Sequence, residues 1–186
     1  SIVGPNVQIG EGTELQSHVN ITGNTIIGSN TKIFPFASIG TSPQDLKYKG
    51  EQTKLEIGNN NIIREHCTIH RSTKEDSITF IGDNCYLMAY VHIAHDCSIG
   101  NNVILANAVQ AAGFVTIFDN AIVGGLTPIH QYCKVGAFSF IGGGLRIVQD
   151  VPPYILANGE PLQFSGLNSI GLRRNNFSSK AINEIK

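Results

Sequence analysis

No stretch of the chain approaches the roughly 18 consecutive apolar residues that a membrane-spanning helix needs, and no charged-then-apolar leader pattern is present. No stable membrane insertion is therefore expected. Tryptophan is missing, methionine occurs once, and charged residues make up only 15% of 186 positions. With a net charge of -1, the chain has no general electrostatic reason to bind nucleic acid. Charge is scarcest between Tyr86 and Leu145, where only Asp96, Asp119 and Lys134 occur. A solvated face carries more charge than that. Extended apolar surface, with outward residues such as Ile104, Phe114, Ile122, Leu126 and Phe138, is expected to meet further subunits in closed cyclic packing.

What the chain does have is a period. From Val3 a branched aliphatic returns at every sixth position through Ile39, again at Ile57, Ile63 and Ile69, and then from Ile81 to Ile147, with Ala111 alone differing in kind. Glycine often follows the aliphatic, and the fourth residue after it is usually small or β-branched. This hexapeptide repeat specifies a parallel β-helix in which three hexads close one triangular coil of about 18 residues, with rungs ~4.8 Å apart. Cys67, Cys85, Cys97 and Cys133 all fall four places after a repeat aliphatic, an inward and size-limited slot. They are expected to be packing residues, neither disulfide-bonded nor metal-bound, which fits a reducing cytoplasm.

The repeat organises the chain into a β-helix over 1–154 and a connector with the start of a helical region over 155–186. It lapses twice, at about 41–54 and at 71–79, and both lapses read as excursion loops on one side of the coil, where such folds carry binding. Pro152-Pro153 is expected to end the coil, since neither residue can donate to a ladder. Ser178 or Ser179 should cap a helix beginning near Lys180. The chain opens without Met inside a repeat and closes just after this pattern begins, and so reads as part of a longer protein.

Ile93 and Cys97 take inward slots, so His92 and His95 should point outward. One coil of about 18 residues places Gly113 beside His95, and a second places Gln131 beyond it. An outward imidazole beside a glycine leaves room for substrate, and a bare backbone N–H there could serve as an oxyanion donor. Asp96 is the neighbouring carboxylate that could fix the imidazole tautomer. His95, Asp96 and Gly113 therefore form a candidate general-base site. No serine or cysteine stands where a nucleophile for His95 belongs, which favours direct transfer over a covalent intermediate. His18 and His66 read as structural. Some hexapeptide enzymes hold zinc with three histidines between subunits, and His92, His95 and His130 are the candidates here. The coil period instead aligns His130 with Ala94, so no metal is expected.

At these residues the chain resembles the UDP-N-acetylglucosamine 3-O-acyltransferases of lipid A biosynthesis. The resemblance rests on Gln44-Asp45-Leu46-Lys47-Tyr48, Ile69-His70-Arg71, His92-Ile93-Ala94-His95-Asp96-Cys97, Ile129-His130-Gln131-Tyr132-Cys133, Gln149-Asp150-Val151-Pro152-Pro153-Tyr154 and Gly171-Leu172-Arg173-Arg174. It implies a left-handed parallel β-helix homotrimer with sites between subunits, moving a 3-hydroxyacyl chain from acyl carrier protein to the sugar 3-hydroxyl. It implies no cofactor, since the carrier thioester is a substrate. His95 would be the base, Asp96 its partner and the Gly113 N–H the oxyanion donor. Asp45, Lys47 and His92 would hold the sugar; His130, Gln131, Asn168 and Arg174 would contact the nucleotide or pantetheine; Gly143 would bound the acyl tunnel. Phe114 stands where many members have a further histidine, and Ile170 and Asn175 where some have Glu and Arg. The family's first coil and most of its C-terminal helical region have no counterpart here.

Two other readings compete. One is a related hexapeptide N-acyltransferase or a coenzyme A-dependent acetyltransferase, which the segments Gln44–Tyr48 and Gly171–Arg174 disfavour. The other is a non-catalytic β-helix scaffold, which would need the aliphatic ladder but neither histidine nor Asp96.

Overall fold

The computed structural model describes residues 1–186. Each hexad forms a short strand whose aliphatic side chain turns inward, and strands three hexads apart pair in parallel, giving three sheets around one core. One sheet of this left-handed parallel β-helix runs from Ile2–Val3 through Thr68–His70 and His92–Ile93 to Pro128–Ile129. The second runs from Val7–Ile9 to Lys134–Val135, and the third from Glu14–Leu15 to Phe140–Ile141 and beyond. Register is held by the ladder: Ile69 pairs with Ile93, Ile93 with Ala111, and Ala111 with Ile129. The inward residues form one cluster of 34 buried side chains, Ala111 and all four cysteines among them. The cysteines are free and buried, and burial pushes the thiols of Cys67 and Cys97 up to about 12 and that of Cys85 to about 11. They are packing groups with no thiolate character at neutral pH.

The tight corners force residues other than glycine into left-handed backbone, among them Asp96 (φ 58), Phe114 (φ 63) and Tyr132 (φ 68). Such a conformation costs about 1–2 kcal/mol per residue. On the corner between the third and first sheets, the rings of His18, Phe36, His66 and Tyr90 stack at successive centroid distances of 5.0, 5.0 and 4.8 Å. Ring pairs contribute about 0.5–1.5 kcal/mol each, enough to offset much of that cost, and they account for His18 and His66 as structural residues.

The excursions are slightly shorter than the periodicity suggests. Strand Ser38–Thr41 leads into the first and Lys54–Ile57 follows it; His70 precedes the second, and Ile78–Ile81 follows. The expectation that Pro152-Pro153 ends the coil is corrected. Strand Ile155–Asn158 pairs in parallel with Phe140–Ile141, and the antiparallel strand Gln163–Leu167 then closes that sheet. The prolines sit at a corner whose ladder bonds are made on either side of them, by Val151 N–H to Lys134 and Tyr154 N–H to Ala137. No donor is required of either proline. A helix Ser169–Arg174 follows, capped by Asn168, and then Ser179–Ile185, whose Ala181 N–H donates to Ser178 Oγ at 3.1 Å. No helix is long and apolar enough to cross a membrane.

Candidate active site

The corner between the first and second sheets collects both excursion loops and the paired histidines. Because Ile93 points inward, His92 and His95 stand outside the coil, yet neither lies open on a flat face. His95 and Asp96 side chains are only 14% and 8% exposed, because the second loop folds back over them. His95 Nδ1 lies 2.8 Å from Asp96 Oδ2. A carboxylate only accepts, so Nδ1 carries the proton and Nε2 presents a lone pair. Asp96 is itself anchored: its N–H donates to Thr79 Oγ1 at 2.8 Å, and its Oδ2 accepts from Thr73 Oγ1 at 2.6 Å.

Gly113 lies one rung above, its carbonyl accepting from Tyr132 N–H while Phe114 N–H donates to His95 O. A Cβ at position 113 would overlap His95 Cε1 and stand 2.8 Å from Nε2. The imidazole therefore lies flat against bare backbone. The Gly113 N–H donates to no carbonyl of the coil. Phe114 closes the other side, edge-on to His95 at 5.4 Å and stacked on Tyr132 at 4.8 Å.

Below the dyad, His92 Nδ1 lies 2.7 Å from Thr68 Oγ1, and its ring meets His70 edge-on at 4.9 Å. Burial, then the neighbouring His95, pushes His92 down. His70 is pushed down to about 4, first by burial and then by His92, His95 and Arg71, and its Nδ1 has no partner. It borders a wholly polar groove with Thr22, Ser42, Gln44 and Arg71. Arg71 straps the first loop to the coil through Gly40 O at 2.8 Å, Ser42 Oγ at 3.2 Å and the Tyr48 hydroxyl at 3.0 Å. On that loop Asp45 Oδ1 accepts from Lys47 N–H at 2.8 Å, which orders a local turn and leaves Lys47 exposed.

The remaining expected residues are dispersed along the coil. Gln131 continues the column of His95 and Gly113, exposed; His130 beside it is exposed too, its Nδ1 donating to Gln131 O at 3.1 Å. Gly143 lies further up, where a Cβ would stand 3.1 Å from Gly125 O, away from the dyad. Asn168 is committed to structure: Oδ1 accepts from Gly171 N–H at 3.1 Å and Nδ2 donates to Phe138 O at 2.9 Å. Arg174 ends that short helix, exposed, beside a groove that includes Ile122, Phe140 and Ile170. No group of three His, Cys, Asp or Glu side chains has the spacing to hold a metal ion.

Sequence reasoning missed Thr68, Thr73 and Thr79, and gave His70 no role beyond its place in a family motif. Thr68 pairs with His92 across 24 residues, whereas His92 pairs with Gln110 across 18. The second loop inserts the difference, so a fixed offset passes over Thr68.

The buried imidazole of His70 has a consequence for stability. Its value falls from 6.5 to about 4 on folding, so between those pH values the unfolded chain binds a proton that the folded chain refuses. Its contribution is thus lost as pH falls through that window. Thermal melts should show Tm declining from pH 6.5 toward pH 4, with a shallower decline in His70→Asn; equal slopes would show that other groups control the acid limb.

Two family models match the chain: the bacterial transferase hexapeptide over residues 78–110, and domain 2 of UDP N-acetylglucosamine O-acyltransferase over 150–186. An acyl-[acyl-carrier-protein]–UDP-N-acetylglucosamine O-acyltransferase of Verminephrobacter eiseniae is 52% identical over 89% of the chain, which spans 64% of that relative's length. The protein of the same name from Thermodesulfovibrio yellowstonii is 55% identical over 100% of the chain and 72% of its own. The solved UDP-N-acetylglucosamine acyltransferase of Francisella novicida superposes with a TM-score of 0.97 at 45% identity, covering 100% of this chain and 68% of that one. With 55% identity over the whole of this chain and a shared fold at a TM-score of 0.97, the chain belongs to the UDP-N-acetylglucosamine O-acyltransferase family.

Proposed function

We propose that the chain transfers a 3-hydroxyacyl group from acyl carrier protein to the 3-hydroxyl of UDP-N-acetylglucosamine, the opening step of lipid A biosynthesis, in the cytoplasm and as a homotrimer. The observation that carries this reading is the His95–Asp96 pair at 2.8 Å, with the imidazole laid against Gly113. A sugar hydroxyl is a poor nucleophile at neutral pH. His95 Nε2 takes its proton as the oxygen attacks the thioester carbonyl, and Asp96 stabilises the imidazolium that forms. The tetrahedral oxyanion faces the free Gly113 N–H. Collapse breaks the C–S bond, and the departing thiolate recovers the proton from His95. No covalent enzyme intermediate, metal or cofactor is needed.

Asp45, Lys47 and His92 are assigned to the sugar, and His130, Gln131 and Arg174 to the nucleotide or pantetheine. Asn168 is assigned there too, and its capping bonds mean that it would act through an edge of the amide left accessible. Gly143 is assigned to the far end of the acyl tunnel. The outward column Ile62, Tyr86, Ile104, Ile122 and Phe140 on the third sheet supports assembly, since adjacent rungs present it as one apolar strip.

The test is an assay of several thioester and sugar-nucleotide pairs, run in chelator. Carrier-linked 3-hydroxyacyl donors with UDP-N-acetylglucosamine should release one thiol per ester formed. Preference for acetyl-coenzyme A or for an amino sugar would move the chain to the related transferases, and no transfer with any pair would leave a scaffold.

A further inference from the structure

We infer that Thr73, on the second excursion loop, is a positioning residue that fixes the Asp96 carboxylate and through it the His95 tautomer; this rests on the acyl-transfer reading above. Three loop groups approach Asp96: Thr73 Oγ1 at 2.6 Å from Oδ2, Thr73 N at 3.3 Å from Oδ1, and Ser77 Oγ at 3.3 Å from Oδ1. A hydroxyl has one proton, and this decides between the two side chains. Ser77 Oγ lies 2.6 Å from Lys74 O, so its proton goes to that carbonyl and the longer contact to Asp96 goes without one. Thr73 Oγ1 has no other acceptor, and its proton goes to Asp96.

Thr73 and His95 thus converge on one oxygen. With one side of Oδ2 occupied by the threonine, the direction left for His95 Nδ1–H is set, at 2.8 Å. The loop thereby does more than cover the site. It connects to the base through two hydrogen bonds, Thr73 to Asp96 and Asp96 to His95, and the Thr79 contact to Asp96 N–H holds the corner from beneath.

Thr73→Val keeps the shape and removes the donor; Thr73→Ser keeps the donor. In the valine variant kcat should fall roughly tenfold, the scale of one hydrogen bond to a charged group, with KM for the sugar nucleotide little changed. Loss of the donor concentrates negative charge on Oδ2 and favours the imidazolium, so the acid limb of the kcat–pH profile should move to higher pH. The serine variant should recover most of the rate. The His95 Nδ1–H proton resonance, assigned by its loss in His95→Asn, reports the dyad without substrate and should shift in Thr73→Val but not in Thr73→Ser. An unmoved resonance in the valine variant, or equal losses in both, would overturn the inference. A wild-type chain that transfers no acyl group while its resonance responds as described would instead overturn the reading on which the inference rests.

Discussion

Alanine at position 95 is expected to lower turnover by on the order of 10² to 10⁴, the range typical of a general base, while leaving the fold intact. The His95 side chain lies outside the aliphatic core, packed against loop and bare backbone, so its removal opens no cavity among the stacked aliphatics. Nor does it strand a buried charge, because Asp96 keeps the Thr73 hydroxyl. The loss should fall on kcat far more than on KM, as the missing interaction operates as the proton moves. Asp96→Asn should cost less, since it impairs orientation and charge stabilisation without removing the base. Steady-state thiol release with purified, folded variants measures both. Turnover near wild type in His95→Ala would make His92 the next candidate, at the disadvantage that burial holds its basicity down.

Gly113→Ala should be nearly as damaging for a different reason. The backbone at 113 is not in the left-handed region, so alanine adds no conformational strain there. Its methyl would instead occupy the place of the imidazole, overlapping Cε1 and standing 2.8 Å from Nε2. Between moving a rung of the coil and swinging one side chain, the side chain gives way. Displacing a catalytic group by about 1 Å costs roughly 10² in rate, which is the expected loss in kcat, with a melting temperature close to wild type. A large drop in Tm with activity retained in the folded fraction would show that Gly113 serves packing alone.

The legible parts of this molecule are those governed by its period. The inward ladder, the slots of the cysteines and the column of His95, Gly113 and Gln131 all follow from counting hexads, as does the separation of His130 from His95. Counting fails where the chain leaves the coil. Thr73 and Ser77 sit in a loop with no repeat to place them, and the inserted residues shift Thr68 and His70 out of the arithmetic. Pro152-Pro153 misled because the absence of a donor matters only where a ladder bond falls, and at that corner the bonds fall on Val151 and Tyr154. The cap that the Asn168 amide places on a helix N-terminus has no signal in the hexad period, since it lies beyond the coil. Outward orientation does not give the degree of enclosure, which the fold of the second loop sets.

His95, set by Asp96 and laid against Gly113, is expected to face the hydroxyl that is acylated. A crystal structure of the chain with UDP-N-acetylglucosamine bound tests it most directly, through the distance from His95 Nε2 to the sugar 3-oxygen. Hydrogen-bond contact is expected, about 2.6–3.2 Å, with the Gly113 N–H open to the space above that oxygen. A sugar whose 3-hydroxyl lies against His92 or His130 instead, or one bound away from this corner altogether, would contradict it.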